Sequence, residues 1–137
     1  MPDVKRWPTS RLLYTAARLV EQGLNEKLRN LGLTYPSVIA LDALAATGPI
    51  TQAGLADVIY VRAQTLGPTL QKLESQGHID RRPGNRNSHY VSITDAGKRL
   101  LHEARALELE VLAKFDVNPD GLRDELENIV LKAPKGH

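Results

Sequence analysis

Residues 51–94 read TQAGLADVIYVRAQTLGPTLQKLESQGHIDRRPGNRNSHYVSIT, and no other stretch limits the possible folds so tightly. It opens with a short amphipathic helix capped by Thr51, with Leu55, Val58 and Ile59 expected to face inward. A tight turn leads to a second helix over about Arg62–Gln76, with Leu66, Leu70 and Leu73 inward, ending before Gly77. Two β-rich runs follow. Ile79 begins a strand lasting to about Arg82, Pro83-Gly84-Asn85-Arg86-Asn87-Ser88 is the turn, and His89, Val91 and Ile93 alternate on the return strand.

Helix, turn, helix and hairpin in this order is the layout of a winged helix-turn-helix. Two residues strain it. Gly54 stands where a capping box wants Glu or Gln, which predicts a weaker cap at Thr51. Pro68 inside the second helix removes one backbone hydrogen bond, so that helix either kinks or starts later than its pattern indicates.

The remaining chain is predominantly helical. The polar start, MPDVKRWPTS, reads as a flexible arm in which Trp7 is a partner anchor or a partly exposed tail residue. Thr9 or Ser10 caps a helix whose stripe is Leu12, Ala16, Leu19, Val20, Gly23, Leu24 and Leu28, with Gly32 as its left-handed stop. Thr34 or Tyr35 precedes Pro36 at the next helix start, and Val38, Leu41, Leu44 and Ala45 form its buried face. Gly48-Pro49 ends it, and Ile50 is a single strand rung. Thr94 caps a long helix, Asp95 to about Phe115, with a stripe of Leu100, Leu101, Ala104, Leu107, Val111 and Leu112. Asn118-Pro119-Asp120 reads as the start of a last helix bearing Leu122, Leu126, Ile129 and Val130.

The chain's 137 residues fit one ordinary domain with appendages. The expected division is an arm and first dimerisation helix at 1–32, the DNA-binding unit at 33–94, and C-terminal dimerisation helices at 95–137. Hydrophobic residues at 42% and charged residues at 25% are globular values. The six aromatics are too few to dominate a core, so Leu, Ala, Val and Ile must build it. With no cysteine, disulfides, thiolate metal sites and thiol redox sensing are excluded. No apolar run approaches ~18 residues and no secretion signal opens the chain, so no membrane association and a cytoplasmic location are expected.

A formal net charge of +2 is too small to argue for nucleic acid alone. Its distribution adds a little: residues 1–35 hold six Lys/Arg against three acids, whereas from Asp95 onward nine acids face seven bases. The stronger argument lies in the second helix of the motif. Arg62, Gln64, Thr65, Thr69 and Lys72 lie off its leucine face, where a recognition helix presents side chains to the major groove. Gln pairs with adenine, Arg with guanine, and the Thr methyl touches thymine. Pro68 either bends the helix along the groove or is a tolerated bend. Thr51 and Gln52 at the first helix start, with Arg81, Arg82, Asn85, Arg86, Asn87 and Ser88 on the hairpin, are candidate phosphate or minor-groove contacts. The apolar stripes outside 33–94 exceed what one such core covers, which calls for a second copy. A two-fold pair sets its recognition helices about 34 Å apart, matching a palindromic operator.

Gly32-Leu33-Thr34, Leu41-x-x-Leu44 and Gly48-Pro49-Ile50-Thr51-Gln52-x-x-Leu55-Ala56 resemble the MarR family of bacterial transcriptional regulators. So do Leu73-Glu74-x-x-Gly77, Arg81-Arg82 and Ile93-Thr94-x-x-Gly97, in order and over nearly the whole chain. The resemblance implies a triangular homodimer with interlocked first and last helices. It also implies a repressor on palindromic promoters, released by small, often phenolic, anions. Gln64, Thr65 and Thr69 would then read bases while the hairpin arginine enters the minor groove. The family's Asp-x-x-Asp-x-Arg wing is replaced by Gly84-Asn85-Arg86-Asn87-Ser88-His89, which leaves Arg86 without acidic support and predicts a shorter, more mobile tip.

Tyr14, Arg18, Tyr35 and His102 are the candidates for an effector cleft, since Arg beside Tyr suits an aromatic carboxylate; alternatively they rim a dimer interface or face water. An enzyme is disfavoured: four scattered histidines, no triad spacing and no phosphate loop leave no catalytic or metal site and no cofactor. His78 and His89, on the two hairpin strands, are the one pair placed to meet. A winged-helix protein-interaction module without sequence-specific DNA binding is the alternative. It would want an apolar or acidic recognition face instead of Arg, Gln, Thr, Thr and Lys.

Overall fold

The computed structural model describes residues 3–84 and 88–134. Among them the elements are α1 (Thr9–Leu28), α2 (Tyr35–Thr47), β1 (Ile50–Thr51), α3 (Gln52–Val58), α4 (Ala63–Ser75), β2 (Ile79–Pro83), β3 (His89–Ile93), α5 (Asp95–Lys114) and α6 (Leu122–Lys132). The chain is thus a mainly helical winged helix-turn-helix with flanking helices, as expected.

Local chemistry sets most boundaries. Thr34, Thr51 and Thr94 each place a hydroxyl that accepts a hydrogen bond from the N–H three residues on, at Ser37, Gly54 and Gly97. Such a cap contributes about 1 kcal/mol by satisfying a donor the helix cannot. Gly32, at φ +72°, closes the 3-10 turn Arg29–Leu31 that ends α1. The glycine at 54 has a steric reason: a Cβ there would lie 2.9 Å from Cγ1 of Ile50, which folds back from β1 over the first turn of α3.

The starts of α1 and α6 differ from expectation. Neither Thr9 nor Ser10 caps α1; Pro8 precedes it with φ preset at −59° and accepts Leu12 N–H through its own carbonyl. Asn118-Pro119-Asp120 forms a turn, Asn118 Oδ1 accepting from Asp120 N–H, and α6 begins only after Gly121 at φ +79°. That left-handed residue separates the turn from the helix. In the arm, Val4–Arg6 is a 3-10 turn and the Arg11 guanidinium stacks 3.7 Å over the half-buried Trp7 ring.

The strands form one antiparallel sheet in the order β1-β3-β2. Ile50 pairs with Val91, and the hairpin register runs from Ile79 opposite Ile93 to Pro83 opposite His89. Leu28, Leu41, Leu44, Leu55, Leu70, Leu73, Ile79 and Val91 are all but fully buried and join the sheet to α1, α2, α3 and α4. Each such leucine contributes about 1.5–3 kcal/mol. Val58 is corrected: it is 47% exposed, and Ala56 takes its place because the short α3 turns Leu55, Ala56 and Ile59 inward. On α2, Ala40 is buried and Ala45 is exposed.

The flanking stripes behave unevenly. Leu24 and Leu28 of α1 and Leu101, Ala104 and Val111 of α5 enter the core. Leu12, Ala16 and Leu19 of α1 do not, nor do Leu122, Leu126, Ile129 and Val130 of α6. Among the described residues no helix is long and apolar enough to cross a membrane.

Candidate nucleic-acid interface

The second helix of the motif owes its shape to Leu66, Leu70 and Leu73, which pin one face of α4 into the core. The polar residues are forced outward. Arg62, Gln64, Thr65 and Lys72 are exposed and Thr69 is half-buried. Arg62 stands just before the helix, its carbonyl accepting from Thr65 and Leu66 N–H. The helix starts one residue later than expected and continues through Pro68, its sixth residue. Proline leaves the Gln64 carbonyl without its usual partner, but on the exposed side where water reaches it.

The turn from α3 to α4 closes where Val61 N–H donates to Ala56 O at 3.0 Å. Tyr60 occupies the left-handed region at φ 61°, a position that usually falls to glycine and gave no sequence signal.

The wing's base is locked to the end of α4 and the start of α5. His78 N–H donates to Leu73 O at 2.9 Å and Thr94 N–H to His78 O at 3.1 Å. Thr94 Oγ1 both caps α5 and donates to Gly77 O at 2.7 Å. Further out, Arg82 is exposed on β2 opposite the exposed Tyr90, and half-buried Ser88 accepts Gly84 N–H through its carbonyl at 2.8 Å. Asn85, Arg86 and Asn87 lie outside the described residues.

Three of the other candidates are engaged within the fold. Thr51 spends its hydroxyl on the α3 cap. Gln52 Nε2 donates to Ala63 O at 3.1 Å, and its Oε1 accepts from Arg81 Nη1 at 3.2 Å. Arg81 also brings Nε within 3.3 Å of Glu74 Oε1, an ion-pair distance without good hydrogen-bond alignment. Gln52, Arg81 and Glu74 line a recess of about 570 Å³ between α4 and the wing, together with Gly67, Pro68, Gln71 and His89. Gln71 and Glu74 escaped the sequence reading. Gln71 sits seven residues, two turns, after Gln64, a spacing that placed it on the same exposed face.

His78 and His89 do not meet. His78 precedes the hairpin's base and His89 pairs at its far end with Pro83. Among the described residues no His, Cys, Asp or Glu cluster is arranged to hold a metal.

The four effector candidates are not assembled within one chain. Arg18 lies 5.8 Å over the Tyr14 ring on the exposed half of α1. Tyr35 lies further along α1, about 16 Å beyond Tyr14 and about 10 Å beyond Arg18, where its N–H donates to Asn25 Oδ1 at 2.7 Å. His102 is exposed on α5. What the fold does assemble around Tyr35 is acidic. Its hydroxyl bonds Glu108, and burial, then the Glu108 charge, push it up to about 12. Burial likewise raises Glu108, against the opposing hydrogen bond from Tyr35. Arg105 pairs with Asp42 beside them, joining α5 to α2.

Comparison with known proteins agrees with this geometry. A model of the MarR family matches residues 31–88. The HTH-type transcriptional regulator YwoH of Bacillus subtilis (strain 168) is 30% identical over 105 residues, 73% of this chain and 77% of its own. The HTH-type transcriptional regulator SarZ of Staphylococcus haemolyticus is 27% identical over 122 residues, 87% and 80% of the two chains. A Mycobacterium tuberculosis MarR-family protein, solved in complex with p-aminosalicylic acid, superposes with a TM-score of 0.68 and 26% identity over 92% of this chain and 98% of its own.

Proposed function

Because this chain belongs to the MarR family of helix-turn-helix transcriptional regulators, we propose that it binds a palindromic operator as a homodimer, represses from it, and is released by a small aromatic or anionic ligand. The observation that carries DNA reading is the outward row on α4. Arg62, Gln64, Thr65 and Thr69 supply the bidentate and methyl contacts that distinguish base edges, and Lys72 reaches a phosphate. Arg82 and Ser88 of the wing, with Asn85, Arg86 and Asn87, follow the backbone or the minor groove. An apolar partner-docking face is disfavoured, since α4 keeps its leucines inward.

Dimerisation is supported by apolar surface that one chain leaves in water. Leu12, Leu13 and Leu19 of α1 and Leu122, Leu126, Ile129, Val130 and Leu131 of α6 are all at least 40% exposed. Such faces on two terminal helices fit a second copy. The division at 1–32, 33–94 and 95–137 follows: the outer segments pair and the middle one reads. For the effector, the bound p-aminosalicylic acid of the M. tuberculosis relative shows the ligand chemistry to try. Asp42 and Glu108 repel a carboxylate at Tyr35, so its acid group belongs nearer Arg18 and Tyr14, with His102 at the margin.

Selection of bound fragments from random duplex DNA by the purified protein tests the reading. An enriched palindrome with half-sites one helical turn apart is expected, its affinity falling steeply with salt and with added p-aminosalicylate. A non-palindromic result, or a monomer at micromolar concentration, refutes it.

A further inference from the structure

We propose that Gln52, Arg81 and Glu74 are positioning residues: they form a brace fixing the angle between the recognition helix and the wing, and none of them contacts the operator directly. This rests on the DNA-binding reading above for its consequence, though not for its geometry. The chain of contacts starts at the first residue of α3. There the Gln52 amide donates to the carbonyl of Ala63, the first residue of α4, and accepts from the Arg81 guanidinium on β2. Arg81 then returns to α4 through Glu74, in its last turn. The brace therefore holds α4 at both ends, about 16 Å apart, and ties both ends to one strand of the wing.

Three features mark this as built rather than incidental. Gln52 uses its donor and its acceptor, and each goes to a different element. Arg81 is only a quarter exposed, whereas Arg82 beside it points outward. Gly67 lies beside the brace, since a Cβ there would make ordinary contact with Gln52 Nε2 at 3.4 Å. The Gly67-Pro68 pair, poor for a helix interior, thus sits where α4 faces the recess and is approached by another side chain.

A planar guanidinium serves this role better than an ammonium, because Arg81 meets Gln52 through Nη1 by a hydrogen bond and Glu74 through Nε by an ion pair, two separate nitrogens held apart on one rigid group. Glu74 gives the idea its sharpest consequence. An acid on the DNA-facing module repels phosphate. If Arg81 were a phosphate contact, removing that acid would free it and tighten binding. If Arg81 is a brace, removing the acid loosens the helix–wing angle and weakens recognition.

The test compares wild type with Glu74→Gln, Arg81→Lys, Arg81→Gln and Gln52→Leu. The probes are the palindromic duplex selected from random DNA by the wild-type protein and a scrambled duplex of equal length, over a salt series. For the brace, Glu74→Gln and Arg81→Lys each lower affinity for the selected duplex about tenfold. Binding to the scrambled duplex is not lowered in either variant, and in Arg81→Lys, which keeps its charge, the slope of log affinity against log salt stays at the wild-type value. Tighter binding by Glu74→Gln, or Arg81→Lys keeping full affinity, overturns it. So does a slope reduced by about one in Arg81→Gln, which removes the charge a phosphate contact would need, or Gln52→Leu keeping full affinity for the selected duplex. Amide hydrogen exchange of the free protein supplies a readout independent of DNA. Faster exchange in the first turn of α4 and along β2 is expected in all four variants. Unchanged exchange refutes the brace even where no duplex binds, whereas faster exchange without any wild-type DNA binding refutes only the DNA reading.

Discussion

Replacing Gly97 by alanine tests how the wing is mounted. Gly97 is the third residue of α5, and a Cβ built there falls 2.2 Å from the carbonyl oxygen of His78 and 2.8 Å from Cγ1 of Ile93. Carbon and carbonyl oxygen settle at about 3.3 Å at closest, so α5 or the strand base must retreat by about 1 Å. The oxygen cannot yield alone, because it belongs to backbone already held by Thr94 N–H. A retreat of that size stretches the 3.0 Å bond from Gly97 N–H to Thr94 Oγ1 as well. Overpacking costs about 1–3 kcal/mol and a weakened cap about 1 kcal/mol, while alanine returns at most about 1 kcal/mol of helix propensity. With the full propensity gain returned, the net is a loss of about 1–3 kcal/mol, read as a lower denaturation midpoint at unchanged slope. Gly67→Ala is the control, since its Cβ meets only the end of Gln52 at 3.4 Å, and a change within about 1 kcal/mol is expected. Gly97→Ala as stable as wild type would mean that α5 and the wing base are not packed as described. Because His78 O and Thr94 also anchor the hairpin, the variant is further expected to lose operator affinity at temperatures where it remains folded.

Gln64→Ala is expected to cost about 1–3 kcal/mol of operator affinity and to relax preference at one base pair, whereas Lys72→Ala weakens all duplexes alike and reduces the salt slope by about one. Binding isotherms on single-base variants of the selected duplex separate the two. Ile129→Asp, at a site 54% exposed in one chain, should leave the fold intact but yield monomers in sedimentation; a stable dimer would remove α6 from the interface. Glu108→Gln should stabilise the protein at neutral pH. Burial raises the folded-state pKa of Glu108 above its ordinary 4.5, so the cost of its charge is felt above that range and vanishes as pH falls below it. Thermal melts across this range check the sign, and a variant destabilised at neutral pH would contradict it.

How much of this was legible beforehand follows from which forces are local. Thr34, Thr51 and Thr94 cap helices whatever surrounds them, Gly32 ends a helix because it alone enters φ +72° without strain, and Leu66, Leu70 and Leu73 repeat at helical spacing. Element order and the polar face of α4 follow from such signals. Pro8 and Gly121 show their limit, since a ring-fixed φ in the first and a freely reached left-handed φ in the second overrode a nearby side-chain cap that looked sufficient.

Sequence alone determined the winged motif, its leucine core and the residues α4 turns outward, because each depends on neighbours within a turn or two. Only the tertiary structure decided that Gln52 and Arg81 turn inward to hold α4, that Gly54 and Gly97 stand where other elements press close, and that Tyr35 meets Glu108 instead of Arg18. Apart from Ile50 beside Gly54, Ile93 beside Gly97 and Glu74 beside Arg81, those contacts join residues 11 to 73 positions apart, and no local pattern records which distant side chain will arrive.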